Sequence, residues 1–248
     1  MKILVVGGSG TVGTLIVPIL AKTFEVRIFD IHPPTPGHYE FIQGDITKYT
    51  DLATAVVGID GLVYMAMGSQ NWSEVGGVTS AFDINVKGVH LALWAAYKAG
   101  ITQAVYTSSM SVYGGDLFHR VFTDEDILPD AIDLYGLTKR LGEDVCQNAA
   151  RLWGMHVNVL RLCLPVSEDK WLRETVAGTP TISTTANDVA RAIAAALDFQ
   201  AGFQSFMISG DYENKLMHMV KARRLLGWEP LARPVRHLSS ADLTQAQP

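Results

Sequence analysis

KILVVGGSGTVGTLIVPIL, residues 2–20, decides the architecture. An apolar run, KILVV (2–6), stops at a glycine, and the helical pattern TVGTLIVPILAK (11–22) begins a few residues later. The link is Gly7-x-x-Gly10-x-x-Gly13. Glycines allow so tight a strand-to-helix turn and let a pyrophosphate approach the backbone N–H groups at the helix N-terminus. Gly7, Gly10, Thr11, Val12 and Gly13 are therefore candidate phosphate-binding positions. The next strand, EVRIFD (25–30), ends in Asp30, where a dinucleotide's ribose hydroxyl pair needs an acceptor. Ile31 and His32 follow, with no arginine, so a 2′-phosphate would meet repulsion without a strong cationic partner. The expected cofactor is NAD, not NADP.

Outward from this unit the alternation continues. LVYMA (62–66), QAVYTSS (103–109) and HVNVLRL (156–162) read as buried strands, and EFIQGD (40–45) as a short one. DLATAVVG, AFDINVKGVHLALWAAYKAG and DLYGLTKRLGEDVCQNAARLWG read as helices between them. Strands alternating with helices predict an α/β fold, a Rossmann-like doubly wound parallel sheet. After Leu162 the pattern loosens to about residue 186, then resumes with a helix near 187–199, a strand near 203–209 and a helix near 214–226. The expected organisation is a dinucleotide-binding domain over 1–163, a reduced C-terminal substrate lobe over 164–231 whose elements return to the core, and a polar, poorly ordered tail over 232–248.

Composition sets the bounds. The chain has 248 residues, 48% of them hydrophobic, and a formal net charge of −5, which argues against nucleic acid as a partner. No apolar run approaches the roughly 18 residues of a membrane span. The apolar stretch after Lys2 is too short for a signal-peptide core. Cys146 and Cys163, far apart and without metal-ligand spacing, read as buried free thiols. The seven histidines show no ligand spacing and the acidic run TDEDILPD (123–130) reads as a solvated loop, so no metal site is expected. A cytoplasmic protein is the expectation.

The chemistry-bearing stretch is DLYGLTKRLGE (133–143), the only Tyr-x-x-x-Lys spacing in the chain. Leu134, Leu137, Leu141, Val145, Ala149 and Leu152 read as that helix's core stripe, with Tyr135 and Lys139 neighbours on a face rotated off it. A phenol titrates near 10, too high for a base at neutrality, and a fixed ammonium is expected to lower it. TSSMSVYG (107–114), at the carboxyl end of a strand, offers Ser109 and Ser111 to a substrate oxygen.

Together the motifs GGSGTVG, Asp30, Gly44-Asp45-Ile46, NVKGVHLALWAA with Asn85, SSMSVYG, YGLTK, VLRLCLP, NDVARAI and RRLLGWEP resemble the extended short-chain dehydrogenase/reductases of the NAD-dependent epimerase/dehydratase type, over about residues 1 to 230. The resemblance implies Ser109, Tyr135 and Lys139 as a catalytic triad acting on a sugar-type hydroxyl. It implies Asp45 and Ile46 flanking the adenine, and Met65, Ala66, Met67 and Asn85 beside the cofactor. Dehydrogenase, epimerase and dehydratase outcomes stay open, with a non-catalytic dinucleotide-binding regulator as the alternative class.

The segment from Pro165 to Asp188 is short for a nucleotide-sugar enzyme, and MAMGSQ (65–70) departs from the usual sequence after the fourth strand. The layout resembles the short uronate dehydrogenases. On that reading Gln70 and Arg173 join Ser109 and Ser111 at the substrate, Arg173 pairing with a sugar-acid carboxylate. A homodimer is expected from apolar side chains on several faces of the Asn85 and Tyr135 helices, including Val89, Leu93, Trp94 and Tyr97.

Overall fold

The structure is a computed structural model. It describes residues 1–35, 38–176 and 182–234, so most of the tail lies outside the described residues. Seven parallel strands form the central sheet: β1 (Lys2–Val6), β2 (Glu25–Asp30), β3 (Glu40–Gln43), β4 (Gly61–Tyr64), β5 (Gln103–Ser109), β6 (His156–Leu162) and, last in sequence, β9 (Phe203–Ile208). Their order is β3-β2-β1-β4-β5-β6-β9. The chain winds outward from β1 to β3, then crosses back to β4 and winds the other way. The reversal between β1 and β4 opens a crevice at the strands' carboxyl ends.

Residues along β1 alternate between two cores. Ile3 and Val5 pack with Ile16 and Leu20 of α1 (Thr11–Leu20) and with Val189 and Ile193 of α7 (Ala186–Asp198). Leu4 and Val6 pack on the other face with Leu52 of α2 (Tyr49–Ala55) and with Ala92 and Leu93 of α4 (Val89–Lys98). Burial on both faces is why these strands read as continuous apolar runs. No helix among the described residues is long and apolar enough to cross a membrane.

Several elements differ from the sequence expectation. Helix begins at Val75, with α3 (Val75–Phe82) joined to α4 through a π-helical turn at Asp83–Gly88. The Tyr64 hydroxyl donates to the Ile84 carbonyl there at 2.5 Å, and a Cβ on Gly88 would lie 2.7 Å from that hydroxyl. After β6, Pro165–Val166 (β7) and Thr184–Thr185 (β8) form a small parallel pair, and α6 (Glu168–Val176) lies between them in sequence. The last helix, α8 (Val220–Leu226), is shorter than its pattern suggested. Residues before it form a turn in which the Asp211 carboxylate accepts from the N–H groups of Leu216 and Met217.

The largest correction concerns α5 (Leu134–Trp153). Its buried face is Gly136, Thr138, Lys139, Gly142, Glu143, Cys146 and Ala149. Of the expected leucine stripe only Ala149 is buried; Leu134, Leu137, Leu141 and Val145 are half-buried and Leu152 is exposed. The glycines explain the inversion, because α5 docks through close backbone approach. A Cβ on Gly136 would sit 2.2 Å from the Ser111 carbonyl oxygen, and one on Gly142 2.4 Å from the Tyr106 hydroxyl. Val89 and Leu93, expected to need a partner chain, are buried in the core, whereas Trp94 and Tyr97 are exposed.

Candidate active site

A cavity of about 450 Å³ runs along the crevice from Asp30, Ile31 and Ile46 at one end to Ser109, Tyr135, Leu164 and Pro165 at the other. The glycine loop forms its floor. A Cβ on Gly7 would lie 2.4 Å from the Ala66 backbone, and one on Gly13 2.4 Å from the Gly8 carbonyl oxygen, so both positions require glycine. Gly7 also holds a φ of +82°, in the left-handed region open to glycine. Helix α1 starts at Thr11 after Gly10, an N-cap with no side chain to bond it, which leaves its first-turn N–H groups to an anion in the cavity lined by Gly10, Thr11 and Val12. Gly13 serves the close packing of α1 on the loop and does not line the cavity.

Asp30 ends β2 and faces the cavity, its carboxylate accepting from the Ser9 N–H at 3.0 Å and the His32 N–H at 3.2 Å. An uncapped helix N-terminus, a glycine floor and a strand-end carboxylate together fit a dinucleotide's pyrophosphate and ribose. Met65, Ala66 and Met67 line the same cavity.

Two expected cofactor contacts have other roles. Asp45 turns its carboxylate to the N–H and hydroxyl of Thr47, at 2.9 and 2.7 Å, which holds its pKa down; Ile46, not Asp45, lines the cavity. Asn85 is buried behind the cavity wall. It accepts from the Gly68 N–H at 3.0 Å and donates to the Thr138 hydroxyl at 2.9 Å, tying the loop after β4 to α5. Sequence spacing could not separate these supports from direct contacts.

At the other end Ser109, Ser111, Tyr135 and Lys139 come together on the cavity wall. Lys139 is buried and donates to the Thr107 carbonyl at 2.8 Å, its ammonium 5.9 Å from the centre of the Tyr135 ring. Burial lowers Lys139 to about 8, against the opposing charge of Glu143. Tyr135 is raised, not lowered as the sequence suggested. Burial is the main cause; the hydrogen bond with Ser109 acts in the opposite sense and the Asp133 charge adds to the rise. Ser109 accepts the Ser111 N–H at 3.0 Å, so its own proton is free to donate. Tyr135 is further walled by Trp72, whose ring lies nearly parallel at 13° with centroids 6.3 Å apart.

Behind this wall lies a buried ion network absent from the sequence reading. Glu143 accepts from the Ser108 hydroxyl at 2.6 Å and from Arg161 at 3.0 and 2.8 Å, and Arg161 donates to the Tyr113 hydroxyl at 2.5 Å. Burial pushes Tyr113 up to about 12.

The proposed substrate residues divide. Ser109 and Ser111 line the cavity. Gln70 is exposed and turns its amide to the Met67 sulfur at 3.7 Å, and Arg173 is exposed on α6; neither lines the cavity. Leu162, Leu164 and Pro165, which do line it, were missed. Their place at the carboxyl end of β6 was a usable signal, but the left-handed backbone of Leu164 (φ 42°) was not visible.

A profile of the NAD dependent epimerase/dehydratase family matches residues 3–178, and the chain belongs to that family. Among curated proteins it is 38% identical to a 3-beta-hydroxysteroid dehydrogenase of Mycolicibacterium neoaurum over 154 residues, 57% of this chain and 41% of that protein. It is 30% identical to the N-acetyl-alpha-D-glucosaminyl-diphospho-ditrans,octacis-undecaprenol 4-epimerase of Escherichia coli O157:H7 over 147 residues, 58% of this chain and 42% of that protein. The matched stretch thus spans about two fifths of these relatives. Among solved structures, a short-chain dehydrogenase/reductase superfamily protein from Agrobacterium tumefaciens with bound NAD shares the fold. Its TM-score is 0.79 at 22% identity, covering 99% of this chain and 97% of that one. NAD is the cofactor of the family, and the cavity's residues fit it.

Proposed function

We propose that this chain oxidises a secondary hydroxyl, or reduces the matching ketone, with NAD supplying the hydride acceptor or donor and Ser109, Tyr135 and Lys139 handling the oxygen-bound proton. One observation carries the reading: Ser109, Tyr135 and Lys139 line one wall of the cavity that the glycine loop also lines, with the anchored Lys139 ammonium 5.9 Å from the centre of the Tyr135 ring. The Ser109 hydroxyl donates to the substrate oxygen and orients it. Tyr135 takes the proton as that oxygen becomes a carbonyl, and returns it in the reverse direction. Burial disfavours the phenolate, and Lys139, fixed by Thr107, places a positive charge 5.9 Å from the centre of the Tyr135 ring, near where the proton leaves.

Hydroxyls of sugars, sugar acids, polyols and alicyclic alcohols all suit this chemistry. Solved structures of similar fold include a complex with UDP-glucose and NAD and a mutated uronate dehydrogenase, so sugars belong in the first panel. The sugar-acid version loses its main support, since Arg173 is exposed and outside the cavity. An epimerase that keeps its NAD through two half-reactions would use the same three residues, and the 30% identical 4-epimerase favours that second reading.

We also infer that two copies pair through α4 and α5. An aromatic group supports this, with Trp94 and Tyr97 exposed and Trp153 half-buried: Tyr97 stacks on Trp153 at 5.3 Å, and His90 lies against both Trp94 and Trp153.

The experiment is NADH absorbance with purified protein, NAD and a panel of sugars, uronates, polyols and alicyclic alcohols. Net NADH from one class identifies a dehydrogenase. NAD carried through purification, with isomerised product and no net NADH, identifies an epimerase. NAD binding without conversion of any substrate contradicts the reading.

A further inference from the structure

Among the described residues the substrate end of the cavity has no free cation, and of its polar side chains Thr107, Ser108 and Lys139 are already bonded to Tyr64, Glu143 and Thr107, which leaves the hydroxyls of Ser109, Ser111 and Tyr135. Of the described residues lining the cavity, the charged ones are Asp30 and Lys139. Asp30 stands at the far end, and the Lys139 ammonium is buried and bound to the Thr107 carbonyl. A uronate carboxylate or a nucleotide diphosphate brought here would lose its water without gaining a guanidinium or ammonium, a cost that selects against anions. Arg120, the nearest arginine in sequence to the Ser109 loop, is held by both oxygens of Asp130, each at 2.9 Å.

The residues flanking Ser109 are apolar on both sides. Leu162 is its partner in the β5–β6 register, and Leu164 follows two residues on. On the β4 side, Met67 lies three residues past the Tyr64–Tyr106 pair and is 45% exposed. Pro165 lines the same end.

Leu164 is the informative residue. It holds a φ of 42°, a conformation that disfavours side chains with a Cβ, yet it is 45% exposed and so gains little from packing in the core. The kink is fixed from behind, where Thr184 donates its N–H to the Leu164 carbonyl at 3.2 Å and its hydroxyl to the Cys163 carbonyl at 2.8 Å. Strain retained at an exposed apolar residue on a cavity wall points to a use for that side chain.

We propose that the substrate is a neutral secondary alcohol, or its ketone, with an apolar body that rests on Leu164, Pro165 and Met67 while its one oxygen meets Ser109 and Tyr135. This rests on the hydride-transfer reading above and names its substrate class. The three remaining hydroxyls at this end, of Ser109, Ser111 and Tyr135, cluster at one point of the wall, and the apolar surface of Leu162, Leu164, Pro165 and Met67 beside them matches a hydrophobic ring system better than a polyhydroxylated one.

The test compares kcat/KM with NAD for decahydro-2-naphthol, 2-butanol, glucose, glucuronate and UDP-glucose, in the wild type and in Leu164→Gly and Leu164→Asn. Decahydro-2-naphthol is expected to be the best of the five. Both variants should lower its kcat/KM by about tenfold or more, the scale of removing one leucine side chain from a buried contact. They should change 2-butanol, too small to reach Leu164, much less. Leu164→Gly relieves the left-handed strain, so its thermal midpoint should equal or exceed that of the wild type. A kcat/KM highest for glucuronate or UDP-glucose overturns the apolar-substrate proposal and leaves hydride transfer standing. So does an equal loss on 2-butanol and decahydro-2-naphthol. If no alcohol is oxidised, the hydride-transfer reading fails, and calorimetry of decahydro-2-naphthol into the NAD-loaded protein then decides the proposal alone. Binding that Leu164→Asn weakens supports it, and no binding overturns it.

Discussion

Glu143→Ala isolates the buried network behind the active site. The Glu143–Arg161 pair is bonded three times, at 3.0, 3.3 and 2.8 Å, and both side chains are only 6% accessible. Removing one partner of such a pair costs about 3–5 kcal/mol, because the remaining charge stays buried without compensation. Arg161 keeps the Tyr113 hydroxyl at 2.5 Å and the Glu125 carbonyl at 3.3 Å, which places the expected loss near the lower end, about 3 kcal/mol. Ser108 also loses its acceptor. Against a typical total stability of roughly 5–15 kcal/mol that is a large fraction. The assay is urea unfolding followed by circular dichroism, with the denaturant slope unchanged so that the midpoint reports stability. Replacing both partners, Glu143→Leu with Arg161→Met, should recover most of the loss, since apolar pairs of similar volume commonly match buried ion pairs. A loss below about 1 kcal/mol for Glu143→Ala, or no recovery in the double variant, would refute the argument that an uncompensated buried charge is what costs.

Three further outcomes follow from the structure. Asp30→Ser with Ile31→Arg should move the NAD to NADP preference, measured as the ratio of dissociation constants, towards NADP, because it removes a carboxylate and adds a phosphate partner on the cavity wall. Lys139 is held at about 8 by burial. Its charge therefore costs folding stability below that pH, and the cost is relieved as pH rises from there towards the ordinary lysine value. Lys139→Met should raise the thermal midpoint more at about pH 7 than at about pH 10, and a gain that grows with pH contradicts this. Light scattering at micromolar concentration should give a dimer mass that Trp94→Glu, on the exposed face of α4, reduces to the monomer.

The sheet was legible because its strands are buried on both faces, as with Ile3 and Val5 against Leu4 and Val6. The glycine loop and Asp30 were legible because tight turns and strand-end carboxylates have local signatures. The burial of α5 was not. Leucine periodicity points to a core stripe, but Gly136 and Gly142 let the opposite face approach the sheet, carrying Lys139 and Glu143 inside. Asn85 and Asp45 sit at family positions yet serve the wall and a turn, a distinction set by side-chain direction. Tyr135 was expected to be lowered by its lysine neighbour, but burial raises it. Arg173 was assigned by residue type and segment length, and α6 turns it to solvent.

The central claim is that Tyr135 carries the proton step while the glycine loop holds NAD. Tyr135→Phe tests it directly, with turnover on the best substrate and NAD affinity measured on the same preparation. The account predicts a fall in rate of about 10² to 10⁴-fold, with the NAD dissociation constant within a few-fold of wild type. A variant that keeps more than about a tenth of the wild-type rate, with chemistry limiting that rate, would contradict it.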